Sequence, residues 1–478
     1  DDTGLQGVYY TAEAGFMSVA ELKRRLGEEK VVDDVDILKI YARDPATFDY
    51  ELPLAVVYAE SAEDVAAAVN YAVENKLFVT PVFHSTSLSG NAATVDRRTI
   101  VLSSERMNKI LEVSDVDWLA VVQPGIKIDE LNLELMGYGL QWPVDPASSK
   151  TASVGGAIVN GGGGMRGAKY GPASHWVLAL EVVIGTGERI RVGCRTLKCR
   201  EGYDLLHLFV GSEGTLGVVT EATIRLAPLP EAFVGVVAQF GDPASLARAV
   251  VEARRRRMWL MVAEFMDDLG SEFVGLERRY TLWMGIDVFG GSEGAALARL
   301  REVAEAAGGR VAAEAGDWKT FFKLLEPRRA LYPAPVKRAV EAYGGNAVIW
   351  MGDVAVPLSR LPEALLAMRR AAEKFGVPTI FGGHVGDGNI HPVLWFDRTD
   401  EAGKKRAVEL YRYFGAIALE LGGTVSAEHG IGLHKRDMLK MSVEKRGSPP
   451  VLRLMEGVKK VFDPYGVFNP GKIFPPSQ

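Results

Sequence analysis

The run Gly161-Gly162-Gly163-Gly164 restricts this chain's fold more than any other stretch. Four consecutive residues without side chains cannot pack a core, and their ordinary use is a flexible linker. Linkers are not usually flanked by apolar strand-like runs, however, and residues 178–184 form one here. The run also closes a stretch rich in glycine and hydroxyl groups that begins at Val144 and includes Ser153, Gly155, Gly156 and Asn160. A backbone lying flat against a large planar ligand accounts for this pattern.

Upstream, the chain alternates between strand and helix. Residues 8–30 read as an amphipathic helical lead-in, with Met17, Leu22 and Leu26 among charges. An apolar run over 54–58 precedes Ser61-Ala62-Glu63-Asp64, a helix start with acid in its first turn, and a helix over 65–75. A strand over 78–82 completes a β-α-β unit, and further strands are expected over 99–102 and 118–123. The loop Val82-Phe83-His84-Ser85-Thr86-Ser87, with Gly90, is rich in hydroxyls. Amides and hydroxyls exposed after a strand suit an anion such as a pyrophosphate. A plain surface loop accounts for it about as well.

A second concentration of chemistry lies downstream. Four of the seven histidines, His384, His391, His429 and His434, fall between residues 384 and 434. Asp387-Gly388 suits a two-residue type I′ turn, whose central residues both need φ > 0. That turn would place His384 directly opposite His391, with Cβ atoms roughly 4.5–5.5 Å apart, close enough for both imidazoles to bind one cation. Polar decoration of a hairpin is the plain alternative. Two imidazoles and a carboxylate form a common ligand set for divalent metals, and Glu428 could supply the carboxylate. A strand over 423–427 would send Glu428 and His429 to opposite faces.

At 478 residues, two or more domains are expected. The pattern changes after Pro228-Leu229-Pro230, which gives 1–228, 229–450 and a C-terminal segment, 451–478, returning to the first domain. Three strand-helix-strand units follow the boundary: 234–240, 243–256 and 260–265; 282–289, 293–307 and 310–315; and 348–356, 362–375 and the strand entering His384. They predict an α+β domain with helices on one face of a ferredoxin-like antiparallel sheet. Arg254, Arg255, Arg256 and Arg257 read as a solvated helix end; a docking patch for an acidic partner or a lipid surface is the alternative.

The net charge of −6 and the pI near 5.8 argue against a nucleic-acid partner. No run reaches the roughly 20 apolar residues of a membrane span, and Asp1-Asp2-Thr3-Gly4 lacks a secretion signal. Cys194 and Cys199 alone make no disulfide framework and suit a reducing interior, so a soluble cytoplasmic protein is expected. Five Gln and nine Asn, with 24% charged residues, hint at a thermophile.

Asp145-Pro146, Ser153-Val154-Gly155-Gly156, Asn160, Gly163, Lys169-Tyr170-Gly171 and Gly211-Ser212-Glu213-Gly214-Thr215-Leu216-Gly217 together resemble the FAD-binding domain of the vanillyl-alcohol-oxidase superfamily. Asp353-Val354-Ala355-Val356-Pro357, Gly383-His384-Val385-Gly386-Asp387-Gly388-Asn389-Ile390-His391, Glu428-His429-Gly430-Ile431-Gly432 and Asn469-Pro470-Gly471-Lys472 are similar to the FAD-linked oxidase C-terminal domain. That domain occurs in D-lactate dehydrogenases, glycolate oxidase flavoprotein subunits and D-2-hydroxyglutarate dehydrogenases.

The resemblance implies that FAD is held by Val82, Phe83, His84, Ser85, Thr86, Ser87 and Gly90, by Asp145, Ser153, Gly156, Asn160 and Gly163, and by Gly211, Ser212, Glu213, Gly214, Val219 and Asn469. One departure stands out. The family loop reads Arg-Gly-Gly-Gly-Thr where this chain has Val82-Phe83-His84-Ser85-Thr86, and the bulk of Phe83 and His84 conflicts with close passage of a pyrophosphate. The histidine that anchors FAD covalently in some members aligns near Thr86, so non-covalent FAD is expected.

The resemblance also implies that His384, His391 and Glu428 hold a divalent metal, with zinc first and manganese or iron as alternatives. His429 would be the base, and Arg328 would contact the substrate carboxylate, with His384, His391 and Asn389 also at the substrate. The lysine expected in D-2-hydroxyglutarate dehydrogenases close to Met351 is missing, which favours a short monocarboxylate such as D-lactate. The activity implied is metal-assisted oxidation of a D-2-hydroxy acid to the 2-keto acid, with hydride transfer to FAD. Electrons would then pass to a quinone, a cytochrome or an electron-transfer protein. Two alternatives stay open: a non-redox transferase resembling the alkyl-glycerone-phosphate synthases, and a flavoprotein subunit active only in a complex. A homodimer and a peripheral contact with the inner membrane face are also open.

Overall fold

The computed structural model describes residues 19–47 and 49–474. Within the expected lead-in, the helix Val19–Leu26 buries Leu22 and Leu26; Met17 lies outside the described residues. The strands Ala55–Tyr58 and Phe78–Val82 both run parallel to Thr99–Ser103, which lies between them. The helix joining them, Ala62–Glu74, starts at Ser61, whose hydroxyl accepts from the Asp64 amide. Such a cap contributes about 1 kcal/mol. Val65, Ala68, Val69 and Ala72 recur at helical spacing and pack against Val57, Val79 and Ile100 of the sheet.

A second, antiparallel sheet runs in the order Ile110–Ser114, Leu119–Val122, Val218–Arg225, Val177–Val183, Arg189–Gly193. The short helix Val154–Asn160 packs on it through Val154 and Ile158 and ends at Gly161, which has φ +68°. Just after Arg189–Gly193, Cys194 and Cys199 form a disulfide, their Cα atoms 5.9 Å apart. This single bridge is no framework, but it bears on the reducing interior inferred from so few cysteines. It closes a local loop of the kind that needs no wider framework, and the argument from cysteine usage to a reducing interior loses its basis.

The third sheet, also antiparallel, has the order Arg310–Ala315, Ala232–Phe240, Tyr280–Val288, Val262–Met266, Thr379–Gly383, Asn389–Asp397, Ala347–Met351. Pro243–Arg255, Glu293–Ala306, Leu361–Phe375 and Glu401–Glu420 pack on one face, and Trp318–Arg329 and Ala334–Tyr343 on the other. Helices on one face only were expected. The strand residues explain the difference: Val236 and Leu282 belong to one core and Val237 and Trp283 to the other, so both faces are apolar and both need cover. The helix Pro450–Phe462 then leads the chain back to the first half, where Gly185 N donates to the Phe462 carbonyl at 2.8 Å and Asn469 N to that of Val79 at 2.9 Å. Among the described residues, no helix is long and apolar enough to cross a membrane.

Candidate active site

The hairpin formed by Thr379–Gly383 and Asn389–Asp397 pairs Gly382, not His384, with His391. The two-residue Asp387-Gly388 turn expected from the sequence is therefore absent. Residues 385–388 form a wider loop, closed by the Asn389 amide on the His384 carbonyl at 3.2 Å. Gly388 alone of the pair has positive φ, +88°, and a Cβ there would fall 2.1 Å from the Val356 carbonyl. A contact distant in sequence thus sets the loop's shape. The two imidazoles still meet, with ring centroids 5.1 Å apart and planes at 87°.

Both rings turn Nε2 toward one oxygen. Glu428 Oε1 lies 3.1 Å from His384 Nε2 and 3.3 Å from His391 Nε2. The Nδ1 atoms point outward, to Glu264 Oε1 at 2.6 Å and to the Gly352 carbonyl at 3.1 Å. An acceptor on Nδ1 leaves the Nε2 lone pair of a neutral ring facing inward, the arrangement that metal-binding histidines adopt. His429 stacks on His391 at 5.0 Å and 6°, with its Nε2 3.8 Å from Glu428 Oε1. Glu428 and His429 therefore converge on one site and do not diverge across a strand. Residues 423–427 make only an isolated bridge, Thr424 to Ala355.

Charge follows from burial and neighbours. Burial pushes His384 toward neutrality, but the Glu264 and Glu428 carboxylates outweigh it and hold the ring well above the usual imidazole range. Burial raises Glu428, yet His384 and His391 hold it well below the usual carboxylate range. His429 is pushed down to about 4 by burial, against the pull of Asp353, and is neutral at pH 7. Arg328 is 4% exposed and lowered by burial, with Nη2 2.9 Å from Glu264 Oε2. That contact lacks hydrogen-bond alignment, and Arg328 Nε and Nη2 find no hydrogen-bond partner among the described residues.

The sequence reading assigned no role to two carboxylates. Glu264 is fully buried in the strand Val262–Met266, where a lone acid among apolar residues was the available signal. Asp353 interrupts the strand expected over 348–356, splitting it into Ala347–Met351 and Val354–Ala355. Its Oδ2 accepts from the amides of Ala427, Glu428 and His429 at 2.9, 3.0 and 2.8 Å, and from Ser426 Oγ and Lys435 Nζ at 3.0 and 3.3 Å. Asn389 Nδ2 donates to Oδ1 at 2.9 Å and to the Val354 carbonyl at 2.9 Å, so this amide nitrogen, expected at the substrate, braces Asp353.

Asp353, His391, Glu428 and His429 also offer one ligand atom each within 4.8 Å of one another. Asp353 is already saturated by donors, which leaves His391, Glu428 and His429 of that group, while His384 Nε2 faces the same Glu428 oxygen; two imidazoles and a carboxylate suit a divalent cation. Asp353→Asn removes the charge that faces three amides and the fully buried Lys435. Breaking a buried pair costs about 3–5 kcal/mol, so the urea midpoint is expected to drop clearly.

In the first half, Val82, Phe83, His84, Ser85, Thr86 and Ser87 line a groove, with Ser153, Gly156, Asn160, Glu213 and Gly214 opposite. The bulk of Phe83 is absorbed: its ring lies where a Cβ on Gly155 would come within 2.8 Å, and His84 Nε2 contacts the Gly125 carbonyl at 3.1 Å. The remaining expected residues shape the loops and do not line the groove. Gly90 N donates to Asp44 Oδ2 at 2.8 Å, Asp145 pairs with Arg166 at 3.1 Å, Gly211 abuts Gly161, and Val219 is buried in the sheet. Asn469 Nδ2 donates to the Glu213 carbonyl at 2.7 Å. In the groove itself, Asn91 Oδ1 is buried without a partner among the described residues. Such an orphaned polar atom fits a polar ligand.

Gly163 joins the two regions, since a Cβ there would fall 2.8 Å from Glu428 Oε2. Residues 229–473 match the family described as FAD linked oxidases, C-terminal domain, and residues 53–193 match the FAD binding domain. The chain belongs to the FAD-linked oxidases. This FAD-linked oxidase is similar to glycolate oxidase subunit GlcD of Bacillus subtilis, 31% identical over 91% of this chain and 92% of that one. It is also similar to D-lactate dehydrogenase of Archaeoglobus fulgidus, 34% identical over 87% and 90%. Its fold matches p-cresol methylhydroxylase with a TM-score of 0.77 at 18% identity, covering 96% of both chains.

Proposed function

We propose that this flavoprotein oxidises a short D-2-hydroxy monocarboxylate, D-lactate first, to the 2-keto acid, with a divalent cation, zinc first, on His384, His391 and Glu428. One observation carries the reading: two imidazole Nε2 atoms approach a single Glu428 oxygen, and Glu428 touches the glycine run of the FAD-binding half. FAD, when bound, supplies the acceptor of the C2 hydride. A divalent cation, when bound, supplies Lewis acidity that makes the substrate hydroxyl a better proton donor.

The chain's own residues do the rest. Arg328, buried and short of hydrogen-bond partners, pairs with the substrate carboxylate. His429, neutral at pH 7, takes the hydroxyl proton at Nε2, the nitrogen nearer Glu428. Met351 stands opposite Val393, two residues along the strand from His391. This apolar wall suits a small side chain and offers nothing to a second carboxylate. A quinone, a cytochrome or an electron-transfer protein would reoxidise the flavin.

The test is anaerobic titration with D- and L-2-hydroxy acids, with and without zinc or manganese. D-lactate is expected to bleach the flavin and D-2-hydroxyglutarate to do so poorly; flavin that no 2-hydroxy acid bleaches would remove the reading. Acid precipitation is expected to leave a colourless pellet and yellow supernatant, because Thr86 occupies the position that a covalent link would require.

A further inference from the structure

Glu213 borders the cofactor groove beside Asn91, Asn160 and Gly214, yet its carboxylate is turned toward the other half of the molecule. Oε1 accepts from Ile431 N at 2.6 Å; Oε2 accepts from Gly432 N at 2.7 Å and Asn91 Nδ2 at 2.9 Å. Glu213 has φ +55°, an unfavourable conformation for a residue with a side chain, and Asn469 grips its carbonyl. The opposing loop is shaped to receive it. Gly430 has φ +78°, and a Cβ there would fall 2.7 Å from Glu213 Oε1. A Cβ on Gly432 would fall 2.0 Å from the Ser89 carbonyl, to which Leu433 N donates at 2.9 Å.

Asp353 holds the amides of residues 427, 428 and 429 from the opposite side. The segment carrying Glu428 and His429 is thus strung between two buried carboxylates, one from each half of the chain. We propose that Glu213 is a positioning residue that couples the cofactor groove to this segment, so that FAD binding and the order of residues 427–432 depend on each other. Bound FAD favours the ordered segment by the same factor by which the ordered segment favours FAD, because linkage between two sites is reciprocal.

Hydrogen–deuterium exchange of the FAD-loaded protein reads this without turnover. Glu213→Gln keeps the side chain's shape but presents an NH2 to amide donors. It is expected to speed exchange of residues 427–432 about tenfold or more while leaving the strand Thr379–Gly383 unchanged. Gly430→Ala crowds the same carboxylate from the opposing loop, its Cβ also coming within 2.9 Å of Asn91 Nδ2. It is expected to give the same loosening and to weaken FAD binding about fivefold or more, within the usual range of coupling.

Unchanged exchange of the segment in Gly430→Ala overturns the proposal, as does unchanged FAD affinity in that variant. Loss of FAD from Glu213→Gln with the segment still protected also overturns it, since a simple groove wall would behave that way. Because Gly430→Ala decides alone, a Glu213→Gln protein that fails to fold leaves the test standing. A kinetic arm rests on the proposed function: both variants should lower kcat about tenfold with KM nearly constant, as expected when transition-state positioning is lost. Altered exchange with no 2-hydroxy acid turnover, even in the parent protein, would support the coupling and remove the proposed activity.

Discussion

His429→Ala is expected to slow flavin reduction by a D-2-hydroxy acid about 10²- to 10⁴-fold, the range of a lost general base, while FAD stays bound. His429 does not line the cofactor groove, so the yellow colour should survive purification. Its pKa gives the pH dependence. Burial depresses it to about 4, so the base form predominates at neutral pH, and activity falls only as acid protonates the ring near that value. In the wild-type protein kcat/KM should stay flat from pH 8 to about 5 and decline below. A nearby cation would push the same way. The alanine variant should lose the acid limb attributable to this group. A near-normal rate in His429→Ala would remove the residue as base.

A base this weak cannot deprotonate an unassisted alcohol efficiently, since proton transfer is best when the two pKa values match. The proposed role of His429 as base therefore rests on the proposed cation beside it. This pairing was legible in outline from the sequence: His384, His391, Glu428 and His429 are all present in recognisable order, and the structure brings them within a few ångströms of one another. What misled the local reading was register. A two-residue turn at Asp387-Gly388 is a sound inference from dihedral preference, but Gly388 is pressed against the Val356 carbonyl, and the loop opens to suit. Dihedral preference sees neighbours in sequence, and this contact is with a residue 32 positions earlier.

The same limit explains Asp353 and Glu264. Asp353 sits in an apolar run whose period suggests one continuous strand. Only the folded loop shows that three consecutive amides and a buried lysine require an anion at that point. Helices on the second face of the large sheet were hidden for a related reason. Period-two alternation fails where both faces are apolar, and Ala232–Phe240 is buried along nearly its whole length. Phe83 was read as an obstruction because Gly155, whose missing Cβ makes room for it, lies 72 residues away in sequence. Two cysteines make no disulfide framework, yet local closure of the short Cys194–Cys199 loop needs only proximity, so a low cysteine count is a poor guide to compartment.

Glu428→Gln is expected to abolish metal binding, with bound zinc falling from near one per chain to a trace and turnover falling with it. The amide keeps the shape, so FAD and the histidine hairpin should be retained; His384 remains fixed by Glu264 at 2.6 Å. What is lost is the negative charge on which two imidazole nitrogens converge. Two neutral rings alone are a weak site, because a divalent cation in a buried setting needs a compensating anion. Glu264→Gln provides the contrast. Glu264 meets His384 on its far side, at Nδ1, and lies beside Arg328, and removing such an outer partner typically lowers metal affinity about 10- to 100-fold. That loss should be recoverable at higher zinc concentration, whereas the Glu428→Gln defect should not be. Metal content measured across a zinc titration separates the two. Full zinc stoichiometry in Glu428→Gln would transfer the ligand role to Asp353, His391 and His429, whose donor atoms are also within reach of one another. In that case Asp353→Asn, not Glu428→Gln, would empty the site.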